Sequence, residues 1–199
     1  MEVKTIKGEL KCDTLLEKGM QILWSKGYNA TSVNDIVQAA GVPKGSFYFY
    51  FKSKEDFVVK AIGKYFEIMC PPALEILDDK SVSPKQRILN FYEYRTKVVK
   101  EHFNCKMGCL ASNLSNEMAE HNEEIRKAIQ KKTEALNEHI ASVIREAQEA
   151  GEIDDKINAI DLAAFIEDAG RGAMVSMKEQ NSSYPVDNFT AMIRRLIVK

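Results

Sequence analysis

The stretch that most constrains this 199-residue sequence is 31–54, TSVNDIVQAAGVPKGSFYFYFKSK. Val33, Ile36, Val37 and Ala40 fall at i, i+3, i+4 and i+7, which makes them one apolar face of a short helix. Thr31 stands just ahead of it, its hydroxyl placed to cap the free N–H groups of the first turn. Gly41 is where a chain leaving a helix needs a positive φ, and Pro43 suits the first turn of a second helix. Phe47 and Phe51, at i and i+4, are enough to anchor that second helix, yet Tyr48, Phe49 and Tyr50 lie between them. A helix of two turns cannot direct five consecutive rings toward one core, so some must face outward. Lys44, Gly45 and Ser46 place a cation, a bare backbone and a hydroxyl at the positive end of this helix, a combination suited to phosphate oxygens and base edges. The pattern predicts a helix-turn-helix whose second helix enters a DNA major groove.

The rest of the chain has the period of helices. Leu15, Leu16, Gly19, Ile22 and Leu23 share a face of a helix over about 10–26, which completes a three-helix unit too small to be comfortably stable alone. Ser53, followed three residues later by Asp56, opens a fourth helix carrying Phe57, Val58, Ala61, Ile62, Tyr65 and Phe66. Cys70-Pro71-Pro72 should bend or break it. Further helices are expected over about 84–101, 109–119, 122–150, 156–178 and 186–198, with Gly151 closing the third of these. The expected fold is therefore all-α, about nine helices: a helix-turn-helix DNA-binding domain over 1–52 and a larger helical ligand-binding and dimerisation domain over 53–199.

Composition excludes several classes. No apolar run has the length of a membrane span, and the charged N-terminus is unlike a signal peptide, so the expectation is a cytoplasmic protein with no membrane partner. Cys12, Cys70, Cys105 and Cys109 show no disulfide-scaffold spacing and are expected as thiols. The net charge of -1 rules out a large basic field; eight lysines against six acids through Glu55 leave +2 on the N-terminal part and -3 on the remainder. DNA affinity would then depend on a few placed contacts and on dimerisation. No Ser/His/Asp order, phosphate-binding glycine loop or paired carboxylates stands out, so neither catalytic residues nor a cofactor is expected, and the chain does not read as an enzyme.

Residues 27–57, GYNATSVNDIVQAAGVPKGSFYFYFKSKEDF, resemble the N-terminal signature of the tetracycline-repressor (TetR) family of bacterial one-component regulators. The resemblance implies that Lys44, Gly45, Ser46, Tyr48 and Tyr50 touch bases or backbone, and that Thr31, Ser32 and Lys54 meet phosphates. Pro43 belongs to the same DNA-facing set but departs from the many relatives with a serine there, whose hydroxyl meets phosphate. It also implies a homodimer on a double-stranded, palindromic operator, released when a small-molecule effector binds the C-terminal helices.

Apolar character with occasional polar handles selects Phe66, Met69, Phe91, Tyr92, Tyr94, Phe103, Met107, Cys109, Leu110, Asn113, Phe165 and Met174 as effector-pocket candidates. The helix over 156–178 has two apolar stripes, one with Leu162, Phe165, Ile166, Ala169, Ala173 and Met177, the other of smaller residues. The small stripe, Ala159, Ala163, Gly170 and Met174, together with Phe189, Met192, Ile193 and Leu196 of the last helix, forms the expected dimer interface; packing within one subunit is the alternative.

Cys109 opens the helix over 109–119, where a thiolate is stabilised, with Lys106 nearby. The run over 108–117, GCLASNLSNE, resembles a segment in a subset of the family, some of whose members sense reactive electrophiles. A repressor switched by covalent chemistry at Cys109 is thus the alternative to reversible ligand binding, and a gap-filling thiol the bland reading. His102, Cys105 and Cys109 lack a fourth partner, so no metal site is expected. Glu167, Asp168 and Arg171 read as a surface ion pair unless buried, and His121 and His139 as solvated.

Overall fold

The structure is a computed structural model that describes residues 2–197, with side chains from residue 11 onward. Its elements, in chain order, are α1 (Glu2–Lys26), α2 (Val33–Ala40), α3 (Lys44–Tyr50), α4 (Lys54–Met69), α5 (Pro71–Asp78), α6 (Pro84–Glu101), α7 (Leu110–Met118), α8 (Glu123–Glu149), α9 (Ala159–Gln180) and α10 (Tyr184–Leu196). There are ten helices and no strand among the described residues, one helix more than expected. The addition is α5. Pro71 and Pro72 do end α4, but they also occupy the first positions of a new helix, where a missing N–H costs nothing. The first helix begins eight residues before the expected start at Leu10.

The chain forms two compact units, one ending at Ile68 and including Leu110–Lys131, the other made of Met69–Cys109 and the residues from Lys132 onward. In the first, α1 packs on α2, α2 on α3, and α7 on α1. The crossing is close at Gly19, where an added Cβ would lie 2.5 Å from Cζ of Phe57 and 2.8 Å from Cγ2 of Ile36. Phe47, Phe51 and Phe57 form a fully buried triangle of rings with centroids 5.1–5.6 Å apart. Each such ring contributes about 1.5–3 kcal/mol by leaving water.

Local signals set the ends of α2. Ser32, not Thr31, is its cap: the Ser32 hydroxyl accepts from the Asp35 N–H at 3.1 Å and the Asp35 carboxylate accepts from the Ser32 N–H at 2.8 Å. This reciprocal pairing satisfies two donors at once. Thr31 is buried and its hydroxyl donates to the Gly27 carbonyl at 2.6 Å. Gly41, at φ 65°, closes α2, and the Val42 N–H returns to the Val37 carbonyl at 3.0 Å. Pro43 sits one residue ahead of α3 in extended backbone, rather than inside its first turn.

The second unit is built from α5, α6, the C-terminal part of α8, α9 and α10 around Leu77, Ile88, Phe91, Ile140, Ile144, Ala163, Ile166 and Ile193. Arg87 is fully buried: it donates to the Leu77 carbonyl at 3.2 Å and pairs with Glu146, which also holds Lys80 at 2.7 Å. His139 is not simply solvated, since its Nε2 lies 2.7 Å from Asp78. His121 is exposed, as expected.

Candidate nucleic-acid interface and effector region

In α3 the side of the helix away from the Phe47–Phe51–Phe57 core carries Lys44, Gly45, Tyr48 and Phe49, spaced i, i+1, i+4 and i+5, and all four are exposed. Phe49 is 80% accessible and Tyr48 56%, while Tyr50 is half-buried against Phe49 and Phe51. Phe49 is therefore the outward residue that the sequence assignment omitted. The signal was present, because any ring at that position of so short a helix lies beside Lys44 and Gly45. No glycine-excluding neighbour lies within 4 Å of the added Cβ at Gly45, so its surface is open.

Ser32 is exposed beside this face, but two of the expected phosphate-contacting groups are committed elsewhere. The Thr31 hydroxyl is inside, spent on Gly27. The Lys54 ammonium donates to the carbonyls of Tyr28 and Thr31, each at 3.0 Å, and lies 3.8 Å from the centroid of the Tyr28 ring. It organises the turn before α2. Burial and the hydrogen bond to Glu55 push the Tyr28 hydroxyl far above its ordinary pKa, so it remains a donor to that carboxylate.

A second tie reaches this turn from far along the chain. The Asn29 N–H donates to Glu117 of α7 at 3.0 Å, and the carboxylate comes so near Gly27, at φ 81°, that an added Cβ would lie 2.2 Å from Oε1. Only glycine permits both the backbone angle and the approach.

The effector candidates divide between the two units. Phe66, Leu110 and Asn113 belong to the first, where Phe66 and Leu110 are buried. Met69, Phe91, Tyr92, Tyr94, Phe103, Met107, Cys109, Phe165 and Met174 belong to the second. There Phe91 and Tyr92 are buried, whereas Met69, Tyr94, Phe103, Met107, Cys109 and Met174 are half-buried. Phe165 is no pocket wall: it is 61% exposed and faces outward.

Around Tyr92 the second unit holds a polar group of unusual composition. Arg95, one turn on, donates to Glu167 of α9 at 2.5 Å and lies 5.1 Å from the Phe91 ring centroid. Glu167 is buried, so it is not part of the surface pair; Asp168 and Arg171, 3.4 Å apart, are. Burial works against the Arg95 charge, but Glu167 outweighs it and holds the guanidinium ionised. The Tyr92 hydroxyl, buried and in the field of Glu167, has its pKa raised well above the ordinary value. It makes no hydrogen bond. A buried donor left so costs about 1–3 kcal/mol.

The outward face of α9 and α10 is a groove of about 430 Å³ lined by Phe165, Ala169, Ala173, Tyr184, Phe189, Met192 and Leu196, among others. The small-residue stripe does not face it. Ala159 and Ala163 are buried in the core of their own unit, Ile193 likewise, and Gly170 takes the Phe189 ring, 3.0 Å from its added Cβ. The close approach that small residues permit is thus used within the subunit by α10, and the outward apolar residues are Phe165, Met192 and Leu196.

Cys109 is half-buried one residue before α7 begins, not the first residue of the helix. Burial raises the Cys70 thiol above its usual pKa, with Cys109 and Glu167 adding in the same direction and Arg95 opposing them. No group of three or more His, Cys, Asp or Glu is gathered for a metal ion among the described residues. No helix among them is long and apolar enough to cross a membrane.

A helix-turn-helix that exposes a lysine, a glycine and two aromatic rings, followed by a larger helical unit, defines a DNA-binding transcriptional regulator. Two family models match the chain: the tetR family of bacterial regulatory proteins over residues 15–61, and the tetracyclin repressor-like C-terminal domain over residues 84–193. The chain belongs to the TetR family. It is 31% identical over 179 residues to the transcriptional repressor DhaR of Mycobacterium sp. strain GP1, covering 90% of this chain and 88% of that one. The repressor NemR of Escherichia coli K12 is 26% identical over 183 residues, 92% of each chain. Among solved structures, a regulatory protein TetR from Rhodobacter sphaeroides has a TM-score of 0.86 at 31% identity, covering 94% of this chain and 98% of its own. E. coli NemR in its reduced form has a TM-score of 0.86 at 25% identity, covering 94% and 97%.

Proposed function

We propose that the protein is a homodimeric repressor that holds a palindromic operator through Lys44, Gly45, Ser46, Tyr48, Tyr50 and Phe49 of α3, with Ser32 and the backbone beside Pro43 at the phosphates. The observation that carries this reading is the exposed aromatic face of α3, since rings this accessible have no role in the core of their own unit. One head presents few cations, so two are needed, set about one DNA turn, ~34 Å, apart. The outward groove of α9 and α10 supplies a surface for the second copy: Phe165, Met192 and Leu196 are apolar, exposed and contiguous with Phe189. A small molecule that binds the second unit better in a differently spaced dimer weakens operator binding by that difference in affinity.

The test is anisotropy on an operator selected from random DNA, alongside light scattering. Tyr48→Ala should lose operator affinity and stay dimeric, whereas Leu196→Glu should become monomeric and lose both. A monomeric wild-type protein that binds its operator at full strength would refute the dimer.

A second reading is favoured by the position of Cys109, half-buried ahead of α7, and by the description of the relative NemR in a reduced form. In it, the Cys109 thiolate attacks an electrophile such as a quinone, forming a thioether and passing its proton to solvent. Release of DNA by benzoquinone from wild type but not from Cys109→Ser supports it; equal release from both removes Cys109 from the mechanism.

A further inference from the structure

We infer that the Tyr92–Arg95–Glu167 group of the second unit is the polar end of the effector site, and that it selects a small uncharged molecule bearing a carbonyl oxygen. The inference rests on the effector-released repressor reading and names the chemistry of its ligand.

Four observations converge. The Tyr92 hydroxyl is buried, with the residue 2% accessible, and has no hydrogen-bond partner, so it is a donor held ready with nothing to receive it. Arg95 lies deep among the helices, stacked near Phe91 and Tyr92, yet a third of its side chain remains accessible. A packed core would leave none; a hollow beside the guanidinium does. Glu167, buried on α9, already neutralises Arg95. The walls around the hydroxyl are aromatic: the Phe91 ring is 4.9 Å from that of Tyr92, and the Phe189 ring 5.7 Å, both edge to face.

The charge balance decides the class of ligand. A carboxylate would meet the Glu167 charge with no free cation to offset it, because Arg95 is spent. An ammonium would meet Arg95 with Glu167 equally spent. Either would be buried uncompensated, which a protein interior tolerates poorly. A neutral carbonyl adds no charge, accepts from the Tyr92 hydroxyl and leaves its hydrocarbon part against Phe91 and Phe189. Cys70 is near enough to feel both Arg95 and Glu167, which places the α4–α5 junction on another side of the same group.

The orphaned hydroxyl makes a prediction whose two halves have opposite sign. Tyr92→Phe removes an unserved donor without changing the ring, so the unliganded mutant should melt about 2–4 °C higher than wild type. The same mutant should bind the ligand at least tenfold more weakly. Cyclohexanone, cyclohexanecarboxylate and cyclohexylamine share a ring and differ in head group. By calorimetry on the full-length protein, cyclohexanone should bind wild type, the two ions should not, and Tyr92→Phe should lose the ketone.

A fall in the melting temperature of unliganded Tyr92→Phe would show that the hydroxyl is already served and overturn the inference. Preference for either ion, or no binding of any of the three, would overturn it too. Operator anisotropy in parallel separates this from the parent reading. If cyclohexanone binds as described but leaves operator affinity unchanged, the site stands and effector release fails. If the ketone does not bind while operator binding is intact, only the site fails.

Discussion

The two units of the chain leave different groups unfulfilled, in opposite places. On α3 the conspicuous groups are apolar and outside: Phe49 and Tyr48 hold their rings in water. In the second unit the conspicuous group is polar and inside: the Tyr92 hydroxyl is sealed from water without a partner. Each arrangement is unfavourable in the isolated subunit and becomes favourable with the right visitor. An exposed ring suits a surface that arrives from outside, as DNA does. A buried donor suits a guest small enough to enter.

Breaking the scaffold beneath the outward rings should have the largest effect. Phe57→Ala empties the centre of the aromatic triangle and should cost about 3–5 kcal/mol in chemical denaturation, with operator binding lost as the unit loosens. A cost below about 1 kcal/mol would mean that Phe57 does not anchor α3 and that the contrast with the second unit is misdrawn.

Removing an outward ring itself sharpens the comparison. Phe49→Ala should weaken operator binding by about 1–3 kcal/mol, the range for a base-edge contact in the major groove, while the melting temperature stays where it was. Loss of stability instead of affinity would turn Phe49 into a structural residue. Because an apolar ring in the groove meets the thymine methyl, replacing thymines of the operator by uracil should reproduce part of that loss in wild type and none of it in the mutant.

The smallest effect concerns acid. The Asp35 carboxylate is held well below its usual pKa, first by the Ser32 hydroxyl and then by Lys26, in the pair that caps α2. A carboxylate depressed in the folded state stabilises it fully above about pH 4, its unfolded value, and that benefit drains away as pH falls toward the folded one. Asp35→Asn should therefore melt lower than wild type at neutral pH, and the gap should narrow steadily below about pH 4. A gap that widened in acid would have the wrong sign.

The α2–α3 segment was legible in sequence because its determinants are local: Gly41 and Pro43 punctuate it, and five rings on two turns cannot all hide. Even there, adjacent hydroxyls at Thr31 and Ser32 left the cap ambiguous by one residue. Asp35, three residues after Ser32, resolves it. Phe165 was misplaced for a different reason, since the helical period marks apolar faces without saying which face meets its own subunit. Partners distant in sequence gave no signal at all. Arg95 and Glu167 are separated by 72 positions, and only the folded chain reveals that Glu167 is its counterion rather than a companion of Arg171. The family resemblance, for its part, placed Thr31 and Lys54 at phosphates, whereas in this structure both serve the turn before α2.

The bond from Asn29 to Glu117 bears on how the protein is made and how it could be recombined. A chain emerging N-terminus first cannot close this contact until α7 has been translated, so the reading head stays incomplete for a long stretch of synthesis. Grafting the first fifty or so residues onto another regulator's body would carry Gly27 and Asn29 along and leave Glu117 behind. The transplanted loop would then have a bare N–H and an empty niche where the carboxylate belongs, unless the recipient helix offered an acid at the matching turn.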